Sequence, residues 1–123
     1  VLMSSKLKPK LNPGKYVFCK TKNLNKLEES NIISIFKEGK NITVITKKEY
    51  AELANLEFYF VCAWITLKIK STLDSHGLTY IFSKALYNKE ISCNVIAGYE
   101  HDHIFVPYEK KDEALGILSG IKI

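Results

Sequence analysis

FYFVCAWITLKIKSTLDSHGLTYIFSKAL, residues 58–86, decides the fold. Its opening run, FYFVCAWITLKIK (58–70), is rich in aromatic and β-branched residues, the types that fit a pleated, half-buried surface. From Trp64 it alternates strictly, with Ile65, Leu67 and Ile69 on one face and Thr66, Lys68 and Lys70 on the other. That pattern predicts a strand with one buried side. The period then changes: Leu78, Ile81, Phe82, Ala85 and Leu86 recur at i, i+3, i+4, i+7 and i+8, the apolar stripe of an amphipathic helix. Between the two lies the polar loop STLDSHG (71–77).

Working outward toward the C-terminus, Ile91–Ala97 and His103–Pro107 read as two further strands. A helix over Lys110–Ser119 would bury Ala114, Leu115 and Leu118, and GIKI (120–123) can add a short final strand. Strand, helix, strand, strand, helix, strand is the βαββαβ order of the α+β, ferredoxin-like class, an antiparallel sheet with its helices on one face. Toward the N-terminus, residues 1–14 form a polar lead-in ending in the turn signal Asn12-Pro13-Gly14. Lys15–Lys22 reads as a strand, and NLNKLEES (23–30) as a loop or one short turn. Ile32–Lys37 and Ile42–Thr46 flank EGKN as a hairpin. Thr46-Lys47-Lys48-Glu49 has the spacing of a capping box, predicting a short helix that buries Tyr50, Leu53 and Ala54. Strand, strand, strand, helix is an incomplete version of the same unit, so two halves are expected, 1–57 and 58–123.

At 123 residues and 46% hydrophobic content the chain can bury a core. It contains no run of about 18 apolar residues and no apolar leader segment, so neither a membrane span nor a signal peptide is expected, and the expected location is cytoplasmic. Cys19, Cys62 and Cys93 lie far apart within apolar runs, which suits buried reduced thiols rather than a disulfide framework or a zinc site. The net charge of +5 invites a nucleic-acid partner. However, all 18 basic residues are lysines spread along the chain, and arginine, the bidentate reader of bases and phosphates, is absent. The Lys/Arg-Gly-Phe order of an RNA-recognition strand is missing too, and no nucleic-acid partner is expected.

Two segments carry candidate binding residues. Ser71, Thr72, Asp74, Ser75 and His76 crowd polar groups before Gly77, and Leu78 and Thr79 open the helix. Glycine at a helix entrance lets a ligand approach the backbone, and exposed N–H groups there attract a carboxylate. A simple chain turn at Gly77 and a helix cap at Ser75 are the structural alternatives. The second segment, NVIAGYEHDH (94–103), supplies Asn94, Ile96, Gly98, His101, Asp102 and His103. The period of two places His101, His103 and Phe105 on one face and Asp102, Ile104 and Val106 on the other. A metal site built from His101, Asp102 and His103 lacks a fourth ligand nearby, and catalysis by His103 lacks a nucleophile and an oxyanion site. No catalytic residue, metal or cofactor is therefore expected. A pocket shared with His76, in which Asp102 holds an ammonium or guanidinium, and a structural role beside the turn both remain.

WITLKIKSTLDSHGLT (64–79) followed by EISCNVIAGYEHDHIFVP (90–107) resembles the ACT-domain superfamily. More closely it is similar to small bacterial tandem-ACT proteins related to the regulatory region of aspartokinases and to the cytosolic arginine sensors of animals. A weaker match at LNPGKYVFC (11–19) extends the likeness toward the N-terminus. The resemblance implies a non-enzymatic regulatory protein that binds a small metabolite, an amino acid first, at an interface between ACT units, in the loop between first strand and first helix. It also implies a homodimer whose subunit packing reports the ligand to an effector that the sequence leaves unidentified. The alternative it implies is an interaction or oligomerisation module without a ligand.

Overall fold

The structure, a computed structural model, describes residues 7–70 and 72–122. The strands are β1 (Pro9–Thr21), β2 (Ile32–Glu38), β3 (Asn41–Lys47), β4 (Glu57–Leu67), β5 (Asn94–Ala97) and β6 (Asp102–Pro107). The helices are α1 (Lys48–Leu53), α2 (Leu78–Tyr87) and α3 (Lys111–Ser119). The six strands follow the order β2-β3-β1-β4-β6-β5, and the pairings β1 with β3, β2 with β3, and β5 with β6 are antiparallel. This is the antiparallel α+β architecture predicted from the pattern of periods. The chain divides into two compact units: one contains the segment up to Pro13 together with Ala63 onward, the other Gly14–Cys62.

In the first unit the apolar side of β4 supplies Ile65 and Leu67, with Ile69 just beyond its end, and β6 supplies Ile104 and Val106. Against them α2 sets Leu78, Phe82 and Leu86, and α3 sets Ala114 and Leu118. Both helices thus share one core with the same sheet face, as their apolar stripes require. The period holds in detail: Ile65, Leu67 and Ile69 are buried while Lys68 and Lys70 are exposed. Thr66 is also buried, because the opposite face carries its own polar cluster, described below.

The fourth strand position differs from expectation. Within the described residues GIKI contributes only an isolated bridge at Lys122. Residues 7–13, a lead-in by composition, lie beside β4 instead: the Lys68 N–H donates to the Lys8 carbonyl at 2.9 Å and the Ile69 N–H to the Leu7 carbonyl at 3.2 Å. Leu7 is fully buried in the core and Leu11 packs against it. That burial outweighs the polar character of the surrounding residues.

The second unit is smaller, with Val17, Cys19, Val44 and Ala51 at its centre. The hairpin predicted around EGKN forms with longer strands, leaving Gly39 and Lys40 as the turn, Gly39 at φ +62°. The capping box does not form. Thr46 is a buried β3 residue whose hydroxyl donates to the Asn31 carbonyl at 2.7 Å, and α1 begins at Lys48 with no side-chain cap. The apolar stripe also differs: Ala51 is the buried residue and Leu53 is 84% exposed. Tyr50 is half-buried, its hydroxyl accepting the Glu28 N–H at 2.8 Å. A helix of six residues ended by Asn55 at φ +56° has too few turns to present a stripe, so one small side chain makes the contact.

Candidate functional site

The loop before α2 and the β5–β6 hairpin converge. Thr72, Leu73, Ser75, His76, Gly77, Leu78 and Thr79 on one side, and Ala97, Gly98 and Asp102 on the other, enclose a cleft of about 290 Å³. The α2 entrance is built by Gly77 at φ +98°, a backbone conformation open to glycine and costly for other residues. Ser75 does not cap the helix. Its hydroxyl donates to the Thr72 carbonyl at 2.7 Å and its N–H to the same oxygen at 3.1 Å, which folds the loop on itself. The first turn of α2 therefore starts without a side-chain cap, and the cleft residues Leu78 and Thr79 belong to that turn.

The opposite wall follows from strand register. Ala97 pairs with Asp102, Ile96 with His103, Val95 with Ile104 and Asn94 with Phe105. Cross-strand partners share a face. Ala97 and Asp102 thus turn toward the cleft, whereas Asn94, Ile96, His103 and Phe105 turn away. Gly98 sits between the two sets: a Cβ there would lie 2.9 Å from the His101 carbonyl oxygen and 3.2 Å from His103 Nε2.

Of the residues singled out in the sequence, the cleft gathers Ser75, His76, Gly77, Leu78, Thr79, Gly98 and Asp102. Asp74, Asn94, Ile96, His101 and His103 do not line it, and Ser71 lies outside the described residues. The shared pocket expected for His76 and the histidine pair is thereby corrected: the sheet separates His103 from the cleft. Thr72, one of the polar residues crowding the loop, also lines the cleft, whereas Leu73 and Ala97 are lining residues that residue chemistry did not single out. The signal for Ala97 was its register opposite Asp102, legible only once the hairpin turn is placed.

Asp102 is half-buried, and among the described residues no hydrogen bond or ion pair engages its carboxylate. Burial raises its pKa above 3.8, with the neighbouring His103 acting the other way. The cleft thus holds an acid that burial penalises when bare, facing a helix entrance whose N–H groups carry partial positive charge.

On the far face, His103 closes a polar cluster. Its Nδ1 accepts the Trp64 indole N–H at 3.0 Å, and the Thr66 hydroxyl reaches the same nitrogen at 3.1 Å. Asn12 donates to Thr66 Oγ1 at 3.0 Å and to the Trp64 carbonyl at 3.2 Å. The Trp64 ring stacks on Phe105 with centroids 6.1 Å apart. An indole N–H only donates, so Nδ1 is unprotonated and the imidazole neutral. Burial lowers the His103 pKa from 6.5, and His101 and Lys68 lower it further, while Asp102 opposes them. The unfolded chain therefore binds this proton more readily than the folded one, and stability rises with pH across the window. Unfolding free energy is expected to fall once pH drops below about 6.5 and to level off below the lowered folded value. The fluorescence of Trp64, the single tryptophan, should change over the same window. Urea titrations from pH 8 to 5 check this, and an unchanged profile in His103→Gln would remove His103 from the account.

Burial pushes the thiols of Cys19, Cys62 and Cys93 up to about 11, 12 and 11, well away from the range of a nucleophilic thiolate. Among the described residues no group of three or more His, Cys, Asp or Glu side chains is placed to hold a metal ion.

Family models described as ACT domain match residues 2–63 and again 60–120. The chain belongs to the ACT-domain family. No curated protein matches the sequence. A Vibrio cholerae protein, VC0802, described as of unknown function and a possible transport protein, is 38% identical, with a TM-score of 0.89 over 99% of this chain and 94% of its own. The Agrobacterium tumefaciens protein Atu0741 is 13% identical, with a TM-score of 0.74 over 92% of this chain and 87% of that one. The ligand-free regulatory subunit of aspartate kinase from Thermus thermophilus is 10% identical, with a TM-score of 0.63 over 89% of this chain and 93% of that one. The last two show a shared ACT-type fold. No helix of the described residues is long and apolar enough to cross a membrane.

Proposed function

We propose that this ACT-domain protein is a cytoplasmic sensor that binds a small metabolite, an amino acid, in the cleft between residues 72–79 and the β5–β6 hairpin. The observation that carries the reading is the pairing of an uncapped helix entrance with an acid that has no hydrogen-bonding or ionic partner among the described residues. A zwitterion complements both, its carboxylate at the backbone N–H groups and its ammonium at Asp102. A regulatory subunit of aspartate kinase among the structural neighbours supports a regulatory role without catalysis. The ACT-type halves are taken in covalent order as 1–57 and 58–123. Signalling follows by population shift: a ligand that binds one subunit arrangement of a homodimer better moves the equilibrium toward it. The partner that reads the shift is a protein effector, not a nucleic acid.

Scanning the twenty amino acids by thermal unfolding tests this. A ligand at a hundred times its Kd stabilises by about 2.7 kcal/mol, or roughly 10 °C for a domain of this size. Absence of any shift at millimolar concentration would sink the reading. It would favour the interaction module instead, for which the open groove of Tyr80, Tyr87, Ile91 and Cys93 along α2 offers an apolar seam.

A further inference from the structure

We infer that the cleft admits compact amino compounds of zero or positive net charge and excludes dicarboxylic and phosphorylated ones. This rests on the binding role proposed for the same cleft and adds its selectivity. The charge inventory carries it. Among the described residues Asp102 is the only carboxylate that lines the cleft, and no lysine lines it. Lysine is not scarce in this chain, which has 18, all of the basic residues it holds and enough to make the molecule net positive. A protein that must hold a second ligand carboxylate or a phosphate supplies a cation beside it, because like charges in a partly desolvated site repel strongly. Among the described residues, that supply is withheld from the cleft that Asp102 lines.

Asp102 has the opposite need. Its charge is half-buried with no hydrogen bond or ion pair among the described residues, so a ligand ammonium would complement it where an anion would repel it. Size acts in the same direction. The 290 Å³ cleft stands at the low end for small-molecule sites, and Gly77, Ala97 and Gly98 contribute little side chain to it. His76 is the one other lining group able to carry charge, and it is controlled for below.

Calorimetric titration with near-isosteric pairs tests the inference: asparagine against aspartate, glutamine against glutamate, serine against phosphoserine, alongside the remaining amino acids. Whichever amino acid binds best, it is expected to be neutral or cationic and to exceed aspartate and glutamate by at least about tenfold. In Asp102→Asn the ratio between amide and acid should collapse toward one. In His76→Ala it should persist. A dicarboxylic or phosphorylated compound binding as well as its neutral partner overturns the selectivity and leaves the binding role standing. Failure of every amino acid to bind overturns the binding role, and the selectivity with it.

Discussion

Replacing Asp102 by asparagine is expected to stabilise the ligand-free protein near neutral pH while weakening its response to amino acids. The two effects have one origin. Burial raises the folded-state pKa of the carboxyl above its ordinary 3.8. Its favourable contribution is therefore fully present below that value and is lost as pH rises through the raised one. At pH 7 the protein carries a partly desolvated charge with no hydrogen bond or ion pair among the described residues, and asparagine keeps the shape without the charge. The unfolding curves of wild type and Asp102→Asn should separate at neutral pH and approach each other in acid. Ligand affinity moves the other way. Hydrogen bonds to a charged group contribute about 1.5–3 kcal/mol, so binding should weaken about 10- to 100-fold. A variant that is destabilised and still binds would assign Asp102 to the scaffold. Stability given up at a binding position is the usual signature of a site kept open for a ligand.

Phe82→Ala is expected to be the most damaging single change in the first unit. The ring is completely buried among Ile65, Leu67, Ile104 and Leu118, and it is the middle residue of the stripe by which α2 meets the sheet. Removing such a ring costs about 3–5 kcal/mol, because the cavity adds to the lost transfer free energy. That is a large share of a stability of about 5–15 kcal/mol and lowers the melting temperature by roughly 10–20 °C. Urea unfolding reads the effect as a lower midpoint at an unchanged slope. Tyr87→Ala, one turn on and exposed, should cost less than about 0.5 kcal/mol. Equal losses for the two would mean that α2 is not held by its buried stripe. Because the first turn of α2 also forms the cleft wall, the residual folded fraction of Phe82→Ala should bind amino acids more weakly.

The parts of this fold that were legible in the sequence are those set by local periodicity. Ile65, Leu67 and Ile69 alternate, Leu78, Phe82 and Leu86 recur at helical spacing, and each set is buried as the period requires. The capping box misled because spacing alone cannot tell a helix cap from the last buried residue of a strand. Thr46 is the latter, its hydroxyl engaged by a carbonyl fifteen residues away in the chain. The extension of β1 back to Pro9, with Leu7 and Lys8 paired beyond it, was illegible for another reason: the partner lies beyond residue 60, and nothing in the polar composition announces the pairing. The candidate site was half legible. Alternation along 101–106 already placed Asp102 and His103 on opposite faces, yet the rarity of histidine drew both faces into one pocket. Register separates them, leaving the acid in the cleft and the imidazole bonded to Trp64.

The pairing of Leu7 and Lys8 with the backbone beyond β4 also governs the order of events during synthesis. Gly14–Cys62 can close as soon as it leaves the ribosome, being an uninterrupted stretch inserted within the other unit. Leu7 must wait, unburied, until the segment past Ala63 has been translated and can receive it. Chaperone demand should therefore centre on the stretch around Leu7 while the segment that receives it is still being made.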